Sequence, residues 1–226
     1  MFEEIIINDR SIIKYNKDKA EYLLIQFVDD SDEEGLEEEI NCIKKESRAN
    51  FAFAGIRTTD WNNELSPWEA EPVFGRQGFG GNGAKSLDYL KNNIESIIKE
   101  FEMEDGAKII LGGYSLAGLF ALWAGYETDI FYGIAAASPS VWFDGWADYT
   151  AGKDINVHSV YLSMGDEEAK AKNKKLAEVE KCIKMQYNEF SKQKHLRHIL
   201  EWNQGNHFKD TALRMAKGFI WNLDNI

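Results

Sequence analysis

The segment KIILGGYSLAGLFALWAGY (residues 108–126) joins an apolar run, two glycines, a serine and a second, longer apolar run. The first run has the length of a strand, whereas the second is apolar on nearly every face, as in a helix buried on all sides. A strand that leads directly into a buried helix is typical of a parallel sheet covered by helices. The segment therefore predicts an α/β fold, with Ser115 at the junction of strand and helix.

The rest of the chain repeats this alternation of strands and helices. EIIIN and SIIKY flank Asn8-Asp9 and predict a hairpin, and YLLIQFV (22–28) predicts a strand buried on both faces. Further strands are expected in NFAFAGIR, FYGIAAASPS, VHSVYLSMG and LRHILEWN, and further helices in 84–102, 168–191 and 208–222. The 226 residues are thus expected to form a single domain whose twisted sheet is mostly parallel, with helices on both faces.

Composition and charge narrow the range of partners. The net charge of −12 argues against nucleic acid and against anionic membrane surfaces. The first ten residues, MFEEIIINDR, lack the basic start and the long apolar core of a signal peptide, so we expect a cytoplasmic protein. The acidic run 29–34 lacks the spacing of a calcium loop and is typical of a helix start, with Ser31 and Glu34 as a capping box. No metal site or cofactor is predicted.

The segment 57–83 is a long irregular stretch with two prolines, two tryptophans, two phenylalanines and five glycines. Loops of this length are usually functional or disordered, and the aromatic residues argue against disorder. We expect an ordered surface excursion that bears part of a binding site, or one that packs its aromatic side chains over the sheet. The two interpretations do not exclude each other.

Ser115 lies in a setting that suits a nucleophile. Gly113 and Ala117 stand two residues before and after it, where a sharp turn between strand and helix needs very small side chains. The pattern is GxSxA, whereas the usual pattern ends in glycine. The following helix start offers the backbone N–H of Leu116 to a developing oxyanion. The alternative interpretation is a small hydroxyl at a strand–helix junction.

A histidine and three acids follow at later strand ends, where sites form in open α/β sheets. His207 is the one histidine expected in a loop at such an end, which makes it the candidate general base. Asp166, Glu167 and Glu168 follow the strand that ends at Gly165, and one of them is expected to accept a hydrogen bond from His207. The chain order of serine, acid and histidine is that of α/β-hydrolases, not of chymotrypsin or subtilisin.

The sequence resembles the esterase D-like branch of the α/β-hydrolases in four segments: GGYSLAGLFALW, AAASPSVWF (135–143), LSMGDEE (162–168) and GNHF (205–208). That branch includes S-formylglutathione hydrolases, feruloyl esterases, enterochelin-type esterases and mycolyltransferases. SPSVWF is similar to its SPSxWW signature, with Phe143 in place of the second tryptophan. The resemblance implies the α/β-hydrolase fold, Ser115 as nucleophile, His207 as base and Glu168 as acid, with Asp166 as the second choice.

The resemblance also implies a second oxyanion donor, and the chain itself suggests a substrate-binding residue and a pocket wall. A second oxyanion donor is expected at the backbone N–H of Val28 or Asp29, although this chain reads QFVDD where the branch commonly has His-Gly. Arg57, at a strand end, is expected either to hold a substrate carboxylate or phosphate or to pair with a neighbouring acid. Because the chain is too short for a separate cap domain, the pocket wall is expected to include three tryptophans: Trp61, Trp68 and Trp142.

Together these features predict a serine hydrolase that cleaves a small-molecule carboxylic ester through an acyl-enzyme. An acyltransferase or a thioesterase is an alternative on the same scaffold, because pocket shape selects the acyl acceptor. A non-catalytic binding module is a further alternative, motivated by the QFVDD segment.

Overall fold

A computed structural model describes residues 2–73 and 75–225, so Phe74 of the loop segment lies outside the described residues. The strands of the described residues are β1 (Glu3–Ile7), β2 (Arg10–Tyr15), β3 (Tyr22–Val28), β4 (Phe51–Arg57), β5 (Glu69–Ala70), β6 (Phe79–Gly80), β7 (Lys108–Tyr114), β8 (Gly133–Ala137), β9 (Ser159–Gly165) and β10 (Arg197–Asn203). Eight of them form one sheet in the order β1-β2-β4-β3-β7-β8-β9-β10.

The strand pairing confirms the prediction of a mostly parallel sheet. The six strands from β4 to β10 in this order are parallel, and only the pairs β1–β2 and β2–β4 are antiparallel. The hairpin predicted at Asn8 and Asp9 is also confirmed, because both residues have positive φ, as in a two-residue type I′ turn. Parallel pairing brings the carboxyl ends of β7, β8, β9 and β10 to one edge of the sheet.

Helices cover both faces of the sheet, as the sequence predicts. They are α1 (Asp30–Glu33), α2 (Leu36–Glu46), α3 (Trp61–Glu64), α4 (Gly83–Glu100), α5 (Leu116–Glu127), α6 (Trp146–Thr150), α7 (Val179–Ser191) and α8 (Thr211–Asp224). Residues of α2 and α8 form one hydrophobic cluster with inward residues of β3 and β7. Residues of α4, α5 and α7 belong to the cluster on the other face. In α5 every residue except the last is buried, which explains its uniformly apolar sequence.

The prediction of one helix over 168–191 is wrong in its first half. The segment begins with a single 3₁₀ turn at Glu168–Lys170, and α7 starts only at Val179. Between them, the side chain of Asn173 accepts hydrogen bonds from the backbone N–H groups of Lys175 and Leu176, at 2.9 and 3.3 Å. Such a local bond offers the backbone an alternative to the helical ladder, so the chain stays irregular until residue 176.

The predicted capping box also differs from the observed one. Asp29, not Ser31, caps α1, and its carboxylate accepts from the backbone N–H groups of Ser31 and Asp32. Asp32 returns the bond by accepting from the backbone N–H of Asp29 at 3.3 Å. The acidic run therefore spans a short helix, and Gly35 separates it from α2.

The segment 57–83 is ordered over its described residues, and its aromatic residues Trp61, Trp68 and Phe79 pack in or against the hydrophobic core. It contains α3 and the two-stranded ribbon of β5 and β6. The Phe79 ring contacts the rings of Trp142 and Phe143, with centroids 6.4 and 5.0 Å apart. Within the described residues, no helix is both long enough and apolar enough to cross a membrane.

Candidate active site

Ser115 lies at a sharp turn between β7 and α5. Its backbone has φ 57° and ψ −117°, an unfavourable combination for a residue with a side chain. A Cβ atom at position 113 would lie 2.3 Å from the carbonyl of Ala117, so only glycine fits there. A Cβ atom at position 118 would come within 2.9 Å of the Gly113 oxygen. The small residues around the serine therefore permit the strained turn that exposes its hydroxyl.

His207 connects Ser115 to a carboxylate. Its Nε2 atom lies 3.1 Å from Ser115 Oγ, and its Nδ1 atom lies 2.7 Å from Glu168 Oε2. The three residues follow β7, β9 and β10, whose carboxyl ends share one edge of the sheet. Side chains that are 92 and 39 positions apart in sequence thus form one continuous line of hydrogen bonds.

The carboxylate of Glu168 is buried and fully partnered. Its Oε1 atom accepts from Ser138 Oγ at 2.7 Å, from the Gly165 backbone N–H at 2.6 Å and from Arg214 Nη1 at 3.3 Å. Burial alone raises the pKa of Glu168, but the hydrogen bond and charge of His207, followed by the bonds from Ser138 and Gly165, hold the pKa below its usual value. The group is therefore an anion at neutral pH and stabilises a protonated imidazole.

The other two acids of the cluster, Asp166 and Glu167, have different partners. Asp166 Oδ1 accepts from the backbone N–H of Gly205 at 2.8 Å, which ties the end of β9 to the loop that carries His207. Glu167 is exposed and forms an ion pair with Lys170. Glu168 is thus the acid that contacts His207 Nδ1 in this structure.

Two residues that the sequence analysis did not identify, Tyr114 and Arg214, form hydrogen bonds that position His207 and Glu168. The Tyr114 hydroxyl donates to the backbone oxygen of His207 at 2.8 Å. Arg214, only 2% exposed, donates to the Tyr114 hydroxyl at 3.0 Å and to the backbone oxygen of Gln204 at 3.1 Å, besides its contact with Glu168. An arginine among the apolar residues of the last helix was the available signal, because buried arginines are almost always paired.

The SPS motif contributes one serine to each side of the site. Ser138, with a positive φ of 45°, donates to the carboxylate of Glu168, as described above. The Ser140 hydroxyl lies 3.4 Å from Ser115 Oγ, and its backbone N–H donates to the Ser115 carbonyl at 3.0 Å. The motif thereby links the turn at Ser115 to the acid.

The expected oxyanion donors lie in different settings. Leu116 is the first residue of α5, so its backbone N–H has no partner within the helix. Val28 is fully buried in the hydrophobic core. The backbone N–H of Asp29 points to the carboxylate of Asp32. Leu116 follows Ser115 directly in the chain, and the backbone N–H of Val28 or Asp29 stays a prediction for the second oxyanion donor.

The pair Asp29–Asp32 predicts a pH-dependent stability. Burial and the charge of Asp29 raise the pKa of Asp32 from 3.8 to about 6. Because the folded state binds the proton of Asp32 more tightly than the unfolded chain does, this proton contributes to the free energy of unfolding. The contribution is complete below pH 3.8 and is lost as the pH rises through 6. The free energy of unfolding of Asp32→Asn is therefore expected to lie within about 0.5 kcal/mol of the wild type at pH 4 and to exceed it at pH 8, by at most about 3 kcal/mol and by less where solvent screens the charge.

Urea unfolding at the two pH values measures this difference. The exposed neighbour Glu34 supplies the control, since Glu34→Gln is expected to leave the free energy of unfolding within about 0.5 kcal/mol of the wild type at both. A lower stability of Asp32→Asn at pH 8 than that of the wild type would contradict the prediction.

A cavity of ≈ 300 Å³ opens at Ser115. It is lined by Ser115, Ser138, Trp142, Glu168, Leu176, Val179, His207 and Phe208. Of the three tryptophans expected in the pocket wall, only Trp142 lines this cavity. Trp68 instead donates to the backbone oxygen of Asp144 and stacks on Trp146, because the segment 57–83 folds inward over the aromatic residues that follow β8. Trp61 packs against the core.

Arg57 does not line this cavity either. Its guanidinium contacts both carboxylate oxygens of Glu33, at 2.6 and 2.7 Å, and has Glu4 and Asp30 nearby. Of the two interpretations offered by the sequence, the structure has the ion pair. Within residues 2–73 and 75–225, no group of three or more His, Cys, Asp or Glu side chains is arranged to hold a metal ion.

Comparisons with known proteins identify the fold. No protein-family model and no curated protein sequence matches the chain. An IroE-like serine hydrolase from Shewanella oneidensis aligns with 100% of this chain and 81% of its own, with TM-score 0.83 and 13% identity. The siderophore hydrolase EstA from Aspergillus nidulans aligns with 100% of this chain and 94% of its own, with TM-score 0.73 and 15% identity.

A third similar structure is the enterobactin esterase FES from Shigella flexneri. It aligns with 100% of this chain and 60% of its own, with TM-score 0.72 and 14% identity. At such low identity these likenesses establish the architecture and not the reaction. The chain has the α/β-hydrolase fold, as its sequence predicts.

Proposed function

We propose that this protein is a serine hydrolase that cleaves a carboxylic ester, with Ser115 as nucleophile, His207 as general base and Glu168 as acid. The observation that carries the proposal is the hydrogen-bonded line from Glu168 Oε2 through the imidazole to Ser115 Oγ, at 2.7 and 3.1 Å. The strained turn at Ser115 supports it, because strain of this kind concentrates where function needs an exposed side chain. Similar structures that are named serine hydrolase, siderophore hydrolase and enterobactin esterase favour an ester as the scissile group.

The first half of the reaction transfers the acyl group to the enzyme. Ser115 Oγ attacks the ester carbonyl carbon while His207 Nε2 takes the hydroxyl proton, and the carbonyl electron pair moves onto its oxygen. The Leu116 N–H at the helix start stabilises this oxyanion. When the tetrahedral intermediate collapses, the bond to the alcohol oxygen breaks and that oxygen takes the proton from Nε2. The alcohol leaves and the acyl group remains on Ser115.

The second half hydrolyses the acyl-enzyme. Water attacks the acyl carbon as His207 Nε2 takes one of its protons, and the collapse of the second intermediate returns a proton to Ser115 Oγ. A carboxylic acid is released and the enzyme is restored. Throughout, the anionic Glu168 stabilises the imidazolium and accepts the hydrogen bond from its Nδ1 proton. The contacts of Tyr114 with the His207 backbone and of Arg214 with Glu168 hold the base and the acid in position.

A fluorophosphonate reagent tests the proposal directly. We expect stoichiometric labelling of the folded protein, recovery of the label on the peptide that contains Ser115, and loss of p-nitrophenyl ester hydrolysis in proportion to labelling. The chain offers a matched control in Ser191, whose hydroxyl lies 3.1 Å from His198 Nε2. In that pair the other ring nitrogen faces the backbone oxygen of Leu196 instead of a carboxylate.

Ser191→Ala is therefore expected to change neither labelling nor hydrolysis. Folded protein that is not labelled, or that carries its label elsewhere than Ser115, would overturn the proposal in favour of a binding module on the same scaffold.

A further inference from the structure

The cavity at Ser115 separates into two chemically different parts. One part consists of the reacting groups and Ser138, which is already committed to the carboxylate of Glu168. The other part is predominantly apolar and comprises four side chains: Trp142, Leu176, Val179 and Phe208. None of the described residues that line the cavity is a lysine or an arginine. Apart from Ser138 and the indole N–H of Trp142, a bound molecule thus meets polar side-chain groups only at the reacting residues.

Two cations that adjoin residues of the cavity wall are already paired. Arg214 is 2% exposed and lies behind Glu168, bonded to Tyr114 and to a backbone oxygen. Lys175, next to Leu176 in sequence, forms a 2.5 Å ion pair with Asp144. Neither of these two cations is therefore free to neutralise an anionic group in the cavity, and Lys209, which follows Phe208, contacts the side-chain oxygen of Gln204 and is not among the lining residues.

Two aromatic rings at the cavity are held in different ways. Trp142 is supported from behind by the rings of Phe79 and Phe143. Phe208 is 85% exposed and follows His207 directly, with its ring edge-on to the imidazole at 5.3 Å between centroids. An exposed phenylalanine beside a catalytic histidine gains stability once an apolar ligand covers it.

We infer that the cavity selects a neutral ester with a compact apolar acyl group and rejects an acyl group that carries a carboxylate. This inference rests on the proposed function and adds its substrate class. A volume of ≈ 300 Å³ is at the small end of ligand pockets, which suits a short aliphatic or a single aromatic group. A carboxylate would lose its hydration against these four side chains, with no lysine or arginine among the described lining residues and with the anionic Glu168 nearby. The net charge of −12 adds a long-range repulsion.

Two esters with the same number of acyl carbons test this selectivity: p-nitrophenyl valerate and p-nitrophenyl hemiglutarate. For the wild type we expect kcat/KM to be about 10²-fold or more higher for the valerate. Leu176→Arg places a cation at the cavity wall, where a half-buried long side chain keeps its charged end near solvent. This variant is expected to shift the ratio at least about 10-fold toward the hemiglutarate.

Ile6→Arg is the matched control. Ile6 is 76% exposed on β1 and lies outside the cavity, so this variant makes the same change in net charge at another place. Its substrate ratio is expected to equal that of the wild type within about twofold, because solvent screens a distant exposed charge. A shift as large as that of Leu176→Arg would assign the selectivity to net charge and overturn the inference.

Phe208→Ala is a second variant that does not depend on tolerance of a charge in the wall. Since Phe208 is largely exposed, its loss is expected to leave folding intact and to raise KM for the valerate about 3- to 10-fold. KM for the hemiglutarate should stay the same within about twofold.

The inference and the proposed function fail in distinguishable ways. Equal kcat/KM for the two esters in the wild type, or a ratio that Leu176→Arg leaves unchanged, overturns the inference while fluorophosphonate labelling of Ser115 still supports the hydrolase. Absence of both labelling and turnover with either ester overturns the proposed function.

Discussion

Replacing Ser115 by alanine is expected to lower kcat for a short-chain p-nitrophenyl ester by about 10⁶-fold, to the rate that binding and the oxyanion donor sustain without a nucleophile. The loss is this large because serine and histidine act as a unit, so removing either removes nearly the whole effect. The change should leave the free energy of unfolding nearly unchanged, because it removes only a partly buried hydroxyl group. Stopped and continuous assays at saturating ester, with circular dichroism of both proteins, measure the two quantities.

Ser140→Ala is the informative comparison for this variant. Ser140 Oγ lies 3.4 Å from Ser115 Oγ but has no histidine contact among the described residues. Its loss is expected to lower kcat less than about 10-fold, the effect of a neighbouring hydrogen bond. If Ser115→Ala keeps more than a tenth of the wild-type kcat, the assignment of the nucleophile is wrong.

Glu168→Gln is expected to lower kcat by about 10⁴-fold at neutral pH. A neutral amide cannot stabilise the imidazolium and allows the wrong tautomer of His207. The same change leaves Arg214 without its carboxylate partner in a buried site, so we also expect stability to fall by about 3–5 kcal/mol. The activity assay must therefore be made well below the melting temperature of the variant, which a thermal unfolding curve measures.

The two neighbouring acids provide graded controls for Glu168→Gln. Glu167→Gln removes only an exposed ion pair with Lys170 and is expected to leave kcat unchanged within about twofold. Asp166→Asn keeps an acceptor for the Gly205 backbone N–H, so kcat should fall less than about 10-fold. A larger loss of kcat in Asp166→Asn than in Glu168→Gln would assign the acid to Asp166.

Local patterns in the sequence were sufficient wherever one element decides the structure. The hairpin at Asn8-Asp9, the strands with continuous apolar runs and the all-apolar helix after Ser115 follow from periodicity and turn chemistry, which act over a few residues. The same holds for the turn at Ser115, where Gly113 is required by a contact only four residues away. The prediction of one helix over 168–191 is wrong in its first half because the side chains of Asn173 and Glu168 form hydrogen bonds outside a helix, which hydrophobic periodicity cannot predict.

By itself, the sequence determined the alternation of strands and helices, the strained position of Ser115 and the presence of a histidine and acids at later strand ends. Only the tertiary structure decided which acid meets His207, that Arg214 and Tyr114 support the site, and that the cavity wall is apolar with Trp142 but without Trp61, Trp68 or Arg57. The physical reason is distance along the chain. These contacts join residues dozens of positions apart, and their formation depends on the register of the sheet and on the path of each loop beyond it.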